Sequence, residues 1–245
     1  MDWTDEKLAD LPSNNGFRLR GLETTRLDTF VDAAFAFATT MLVISVGDIP
    51  NNYSELIYAL KGIPAFAMSF AAIMIFWLGH RRWSRRYGIE NSKTLAISLS
   101  LIFIMLVYVY PLKLMFSAMA SWVSLGYLPS EFRLTDPIEM VYLFIIYGFG
   151  FAGLTLMMLL LHWMSEYSKN KLALNELELV VTKGEIIMWA ILAITGFCSG
   201  LFAWLMPPHL AIYAGFFYFN LPVSMNLAAY YMSRKVKRLR TKSLI

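Results

Sequence analysis

The sequence predicts an all-α integral membrane protein of six transmembrane helices per subunit, with both termini cytoplasmic. Three observations carry this expectation. Of the 245 residues, 58% are hydrophobic and only 16% charged, where soluble domains run at roughly 45–50% apolar and about 25% charged. The mean hydropathy is +0.55. Lys and Arg, 21 in all, fall almost entirely on one side of the helix alternation described next. Composition also removes whole classes. One cysteine, Cys198, excludes an intrachain disulfide framework and a Cys-based zinc site. Secreted disulfide scaffolds and nucleic-acid binders are set aside with it.

Residues 1–22 are polar, hold no apolar core of signal-peptide length, and read as a short non-translocated cytoplasmic tail. Apolar stretches follow at 27–47, 56–79, 94–119, 138–164, 186–206 and 209–233. Each is long enough for the ~20 residues that cross a ~30 Å hydrocarbon core. Pro50 follows the first stretch, Asp136-Pro137 opens the fourth, and Pro207-Pro208 divides the fifth from the sixth. The expected organisation is a cytoplasmic tail at 1–22, a six-helix transmembrane domain at 23–233 and a basic cytoplasmic tail at 234–245. Loops near 81–93, 120–136 and 165–184 are too short to fold alone. No internal repeat is evident.

The distribution of positive charge tests the helix count independently of hydropathy. One side takes Lys7, Arg18, Arg20, Arg26, Arg81, Arg82, Arg85, Arg86, Lys93, Lys169, Lys171, Lys183, Arg234, Lys235, Lys237, Arg238, Arg240 and Lys242. Only Lys61, Lys113 and Arg133 fall on or towards the other. A wrong count would scramble this alternation, so the basic side is assigned to the cytoplasm.

Motifs for catalysis are missing. His80 and His162 fall near the cytoplasmic face and His209 near the opposite one, so a three-His metal site is excluded by topology. No HExxH, cleft carboxylate pair or nucleophile elbow occurs. The Gly148, Gly150, Gly153 spacing lies inside an apolar helix with no preceding strand, so it is no dinucleotide loop. With the Gly196–Gly200 pair it reads as close helix packing. No enzyme activity, metal or cofactor is expected.

The first spanning helix is unusual because it opens on three ionisable groups, Arg26, Asp28 and Asp32. An ionised carboxylate at the depth of Asp32 is costly unless paired or facing water. Arg26 lies roughly 9 Å along the axis and offers one partner. His80, at the end of the second helix in Trp77-Leu-Gly-His80, offers another at the same level. Arg26 and Asp28 also fit a plainer reading as interfacial residues that snorkel.

These residues resemble the signature of the transmembrane-protein-175 family, the endolysosomal potassium channel and its bacterial relatives. The family's Arg-x-x-x-Phe-Ser-Asp is met by Arg26, Phe30 and Asp32, with Val31 in place of Ser. Its Trp-x-x-His is met by Trp77 and His80. The third helix, Leu95 to Leu114, closes with Pro111, and Ser100 stands by register where the family often has Asn. The resemblance covers the first three helices by motif and the rest by topology and length. It implies a homotetramer with a central pore lined by the first helix of each subunit, and a motif that pins this helix to its neighbours instead of touching the ion. Carried over by register, the pore-facing row is Phe37, Thr40 and Ile44, with Met41 beside it. A small rotation shifts the row to Phe35, Ala38 and Leu42, and a one-residue slip puts Thr39 in place of Thr40; the sequence leaves these rows open.

The chain has no TVGYG-type carbonyl filter. A ring of bulky apolar side chains gates by dewetting, and adjacent Thr40 hydroxyls replace hydration only in part, so modest selectivity for potassium over sodium is expected. Implied partners are further copies of the chain, membrane lipids and monovalent cations, with potassium as permeant ion, in a multi-pass cell-membrane protein of bacterial inner-membrane type. The 234–242 cluster is either a lipid-recruiting patch or a plain topology signal. A second reading is a secondary or proton-coupled transporter using Asp32 and His80, although no inverted repeat or corresponding pair of Gly/Pro-broken helices supports it. A third is an assembly protein without transport.

Overall fold

In a computed structural model the described residues are 3–45, 49–130 and 136–242. Arg133, the ends of both predicted tails and positions 46–47 of the first apolar stretch lie outside them. The chain begins with a short helix α1 (Asp5–Ala9) and a two-stranded antiparallel hairpin, β1 (Ser13–Asn14) and β2 (Phe17–Arg18). Seven helices follow: α2 (Arg26–Ile44), α3 (Tyr53–Lys61), α4 (Ile63–Tyr87), α5 (Ser92–Val123), α6 (Pro137–Tyr167), α7 (Glu176–Leu205) and α8 (Leu221–Lys242). A 3-10 segment, Pro208–Asn220, precedes α8.

Among the described residues six helical segments are long and apolar enough to cross a membrane, as the hydropathy predicts. Their starts are written locally. Thr25 and Asp28, Asn91 and Thr94, Asp136 and Glu139, and Asn175 and Glu178 form reciprocal capping boxes that open α2, α5, α6 and α7. Three details differ from the sequence expectation. Pro111 does not close the third span, since α5 continues to Val123; spanning helices tolerate proline where neighbours re-satisfy the freed backbone groups. The second span is built from α3 and α4, which meet at Gly62. The sixth is built from the 3-10 segment and α8, and α8 runs unbroken past residue 233. These breaks fall at non-equivalent positions of the two three-span halves.

Packing runs in order across the bundle: α2 lies on α4 and α5, α5 on α6, α6 on α7, and α7 on α8. The α6–α7 crossing is close because it is made of glycine. A Cβ on Gly148 would stand 2.5 Å from Gly200 N, and one on Gly196 would stand 2.9 Å from Gly148 O. Small residues allow such approach between spanning helices. Phe35, Leu42, Ile73, Leu101, Met105, Leu154, Met158 and Leu161 fill the interior, joined by Trp83 and Tyr87.

Residues preceding α2 are not a loose tail. Phe17 is buried edge-on against Tyr87, with ring centroids 5.5 Å apart, and beneath the guanidinium of Arg86. Gly21 N–H donates to Arg85 O at 3.1 Å. Gly21 also lies so close to the Ser84 backbone that no side chain fits. Arg18 and Arg20 converge on Glu178 at the start of α7. Arg240, near the end of α8, donates to Asn15 O. The hairpin, the α4–α5 and α6–α7 turns and the α8 terminus therefore share one end of the bundle, and this end gathers the basic residues counted on one side of the alternation.

Candidate functional site

Helix α2 has two dissimilar faces. Leu27, Val31, Phe35, Ala38 and Leu42 are buried against α4 and α5. At about 100° per residue these positions form one stripe. Arg26, Phe30, Ala33, Phe37, Thr40 and Ile44 form a second stripe about 140° away, and all are exposed to whatever lies outside the subunit. Phe37 is 56% exposed and Ile44 68%, whereas Phe35 is 2% exposed. The subunit interior thus takes up Phe35, Ala38 and Leu42 of the alternative row. Met41 and Thr39 are intermediate, at the edges between the faces. Both threonine hydroxyls bond within the helix: Thr39 Oγ1 donates to Ala36 O at 2.7 Å and Thr40 Oγ1 to the same carbonyl at 3.0 Å.

The motif residues join three helices, though with partners other than those expected. Trp77 Nε1 on α4 donates to Asp32 Oδ1 at 2.7 Å, and the Arg81 guanidinium lies 5.4 Å from the Trp77 ring centre. His80 does not pair with Asp32. Its Nε2 is hydrogen-bonded to Ser98 Oγ at 3.0 Å, and both residues are buried. Arg26 and Asp32 form no ion pair among the described residues, since six positions leave them about 120° apart round the helix. Phe30 is exposed.

Ser98 is the motif contact that sequence reasoning missed. Ser100, placed there by register, is exposed and donates to Ala96 O on its own helix at 2.9 Å. The two-residue difference is about 200° of helical rotation, enough to move a hydroxyl from α4 to the opposite face. The geometry thus gives a carboxylate held by an indole N–H between α2 and α4, and an imidazole held by a hydroxyl between α4 and α5. The Asp32–Trp77 and His80–Ser98 bonds are thus two separate hydrogen-bonded pairs.

The remaining histidines are dispersed. His162 on α6 is buried, with Nδ1 bonded to Met158 O at 2.9 Å, and His209 starts the 3-10 segment at the other end. No group of three His, Cys, Asp or Glu side chains among the described residues is arranged to hold a metal ion. An open cleft of about 750 Å³, lined by Val43, Glu55, Tyr58, Phe66 and Lys113 among others, lies at the end opposite the basic cluster. Lys113 donates into it towards Ser45 O.

The profile of the family described as endosomal/lysosomal potassium channel TMEM175 matches residues 26–111, the span from the start of α2 into α5. A protein of Marivirga tractuosa named "Potassium channel" is 31% identical over 235 residues, covering 92% of this chain and 94% of that one. A crystal structure of a variant of the potassium channel MtTMEM175, in complex with a Nanobody-MBP fusion protein, superposes with a TM-score of 0.79 at 29% identity, covering 91% of this chain and 100% of that one. The family is one of channels that need no cofactor, not one of enzymes. By its motif helices, its six-span architecture and its likeness over nearly the whole length, this chain belongs to the TMEM175 potassium channel family.

Proposed function

We propose that four copies of this chain form a potassium-permeable cation channel in the cell membrane, with α2 of each subunit lining a central pore and both termini in the cytoplasm. The observation that carries the reading is the open row Phe37, Thr40 and Ile44 on α2, set opposite the stripe that its own subunit covers. A helix spanning the membrane with one apolar face packed and the other uncovered has only lipid or further copies to meet. In a chain of this family the second choice is the one adopted here. The neck is then a ring of Phe37 and Ile44 side chains, with Met41 at its edge, which resists wetting. Thr40 hydroxyls between them replace part of an ion's hydration and give modest preference for potassium over sodium. Asp32 and Trp77 hold α2 against α4, His80 and Ser98 hold α4 against α5, and none of the four contacts the ion.

Residues 23–233 form the channel domain on this reading. The basic end, including Arg234, Lys235, Lys237 and Arg238, lies at the cytoplasmic leaflet, where anionic headgroups attract it. A bacterial inner membrane fits this orientation. Asp32 and His80 each bond a different side chain, Trp77 and Ser98, which speaks against a direct proton transfer between them in a coupled carrier.

The test is a bi-ionic reversal potential, potassium against sodium, across a bilayer containing the purified protein. A potential favouring potassium is expected, and its size measures what one threonine ring discriminates. Reversal at zero would keep the pore and remove the selectivity; silence from a folded tetramer would remove the channel.

A further inference from the structure

The buried ion cluster at Glu178 is not accounted for by a pore on α2, although it lies on the chain leading into that helix. Glu178 Oε1 accepts from Arg18 N at 2.9 Å, Arg18 Nε at 3.0 Å and Arg20 Nη1 at 3.1 Å. Its Oε2 accepts from Nη2 of both arginines at 2.8 Å and from Asn175 N at 3.0 Å. The side chains of Glu178 and Arg20 are fully buried. Both guanidinium groups also donate to backbone carbonyls: Arg20 Nε to Leu172 O at 2.8 Å and Arg18 Nη2 to Ala173 O at 2.9 Å.

Two forks on one carboxylate fix both angle and distance. A buried ion cluster seldom adds stability over an apolar replacement, and its better-attested use is to specify one arrangement. What is specified here is the position of residues 17–21. Arg18 and Arg20 hold them to α7, while Gly21 N–H holds them to the last turn of α4. Between Gly21 and the first residue of α2 stand only Leu22, Glu23, Thr24 and Thr25. The roughly five Cα–Cα steps from Gly21 to Arg26 reach at most about 18 Å, so the clamp leashes the start of α2 to the α4–α7 end of the bundle.

We propose that Glu178 is a positioning residue for the pore: by clamping residues 17–21 it sets the axial height and rotation at which α2 presents its open row. The inference rests on α2 being the pore-lining helix. It is tested by lengthening the leash while leaving the clamp intact. Full-length protein with Gly-Ser-Gly-Ser inserted between Glu23 and Thr24 is reconstituted in vesicles beside the wild type, Glu178→Gln and Glu166→Gln, and potassium flux is compared at equal tetramer content.

The insertion is expected to leave subunit thermal stability unchanged and to alter flux by about fivefold or more, the usual size of a coupling between sites. Glu178→Gln is expected to alter flux in the same direction. Glu166→Gln, which loses a partly exposed pair with Lys183 at 3.6 Å, is expected to match wild type. Wild-type flux from an assembled insertion variant would overturn the proposal, and so would failure of that variant to assemble, because the leash would then serve assembly. If Glu178→Gln does not fold, the insertion alone decides. A wild type without flux would overturn the channel reading and leave the clamp no pore to position.

Discussion

Phe35 and Phe37 are the same residue two positions apart on one helix, and they live in different environments. Phe35 is packed between α4 and α5; Phe37 points away from its subunit. The difference shows what decides function on α2. Within a bilayer, lipid tails are as apolar as a protein interior, so hydrophobicity does not sort the two faces. Packing does. The face with Leu27, Val31, Phe35, Ala38 and Leu42 is buried against α4 and α5. The face with Phe30, Ala33, Phe37, Thr40 and Ile44 is left exposed by the described residues of its own chain, and on the proposed reading it meets the assembly.

The largest effect is expected from truncating the packed face. Phe35→Ala opens a void in the buried cluster that also contains Leu42, Ile73 and Met105. It should lower subunit stability by about 3 kcal/mol. This is the lower end of the range for buried Phe→Ala, because dispersion is lost without the full cost of transfer from water. Thermal unfolding in detergent measures it. A wild-type melting temperature would mean that the two faces of α2 do not differ as described.

How far this contrast was legible beforehand depends on the kind of signal. Six spans were readable because apolar length and basic alternation are properties of single stretches. The motif positions Arg26, Asp32, Trp77 and His80 were readable as a resemblance. Their partners were not: the choice between Ser98 and Ser100 is a matter of helix rotation, and both are serines in an apolar helix. Glu178 illustrates a second limit. Asn175-x-x-Glu178 is a legible capping box, yet the same carboxylate binds Arg18 and Arg20, 160 and 158 residues away. No local pattern reports a contact of that range. The alternative pore row containing Phe35 was likewise indistinguishable by composition from the row containing Phe37.

A middle-sized effect is expected where α4 meets α5. Ser98→Ala leaves one nitrogen of buried His80 without its hydroxyl partner, at a cost of about 1–3 kcal/mol. Ser100→Ala, on the exposed side of the same helix, should cost less than about 0.5 kcal/mol. Paired melting curves distinguish them. A larger loss from Ser100→Ala than from Ser98→Ala would return the contact to the register read from sequence.

On the open face the effects on folding shrink and those on conduction begin. Phe37→Ala should change subunit stability by less than about 0.5 kcal/mol and raise single-channel conductance, because a wider neck holds water more readily. Loss of stability comparable to Phe35→Ala would mean that Phe37 is packed; unchanged conductance in both Phe37→Ala and Ile44→Ala would move the pore off this row.

The smallest structural effect, and the sharpest functional one, is expected from Thr40→Val. Valine keeps the shape of threonine and removes only the hydroxyl, which in one subunit donates to Ala36 O at 3.0 Å. That carbonyl also accepts from Thr39 Oγ1 and remains bonded without Thr40, so the helix should be undisturbed. A hydroxyl already donating along the helix turns its lone pairs outward, as a ring of acceptors for a partly dehydrated cation needs. If Thr40 supplies that ring, the bi-ionic reversal potential should move towards zero. A hydrogen-bond-sized difference of about 0.5 kcal/mol amounts to roughly a twofold fall in the permeability ratio. The same substitution at Thr39, between the two faces, should leave the ratio as it was. A shift from Thr39→Val with none from Thr40→Val would rotate the pore-lining face by about 100° towards the edge of the packed stripe, and the two faces of α2 would have to be redrawn.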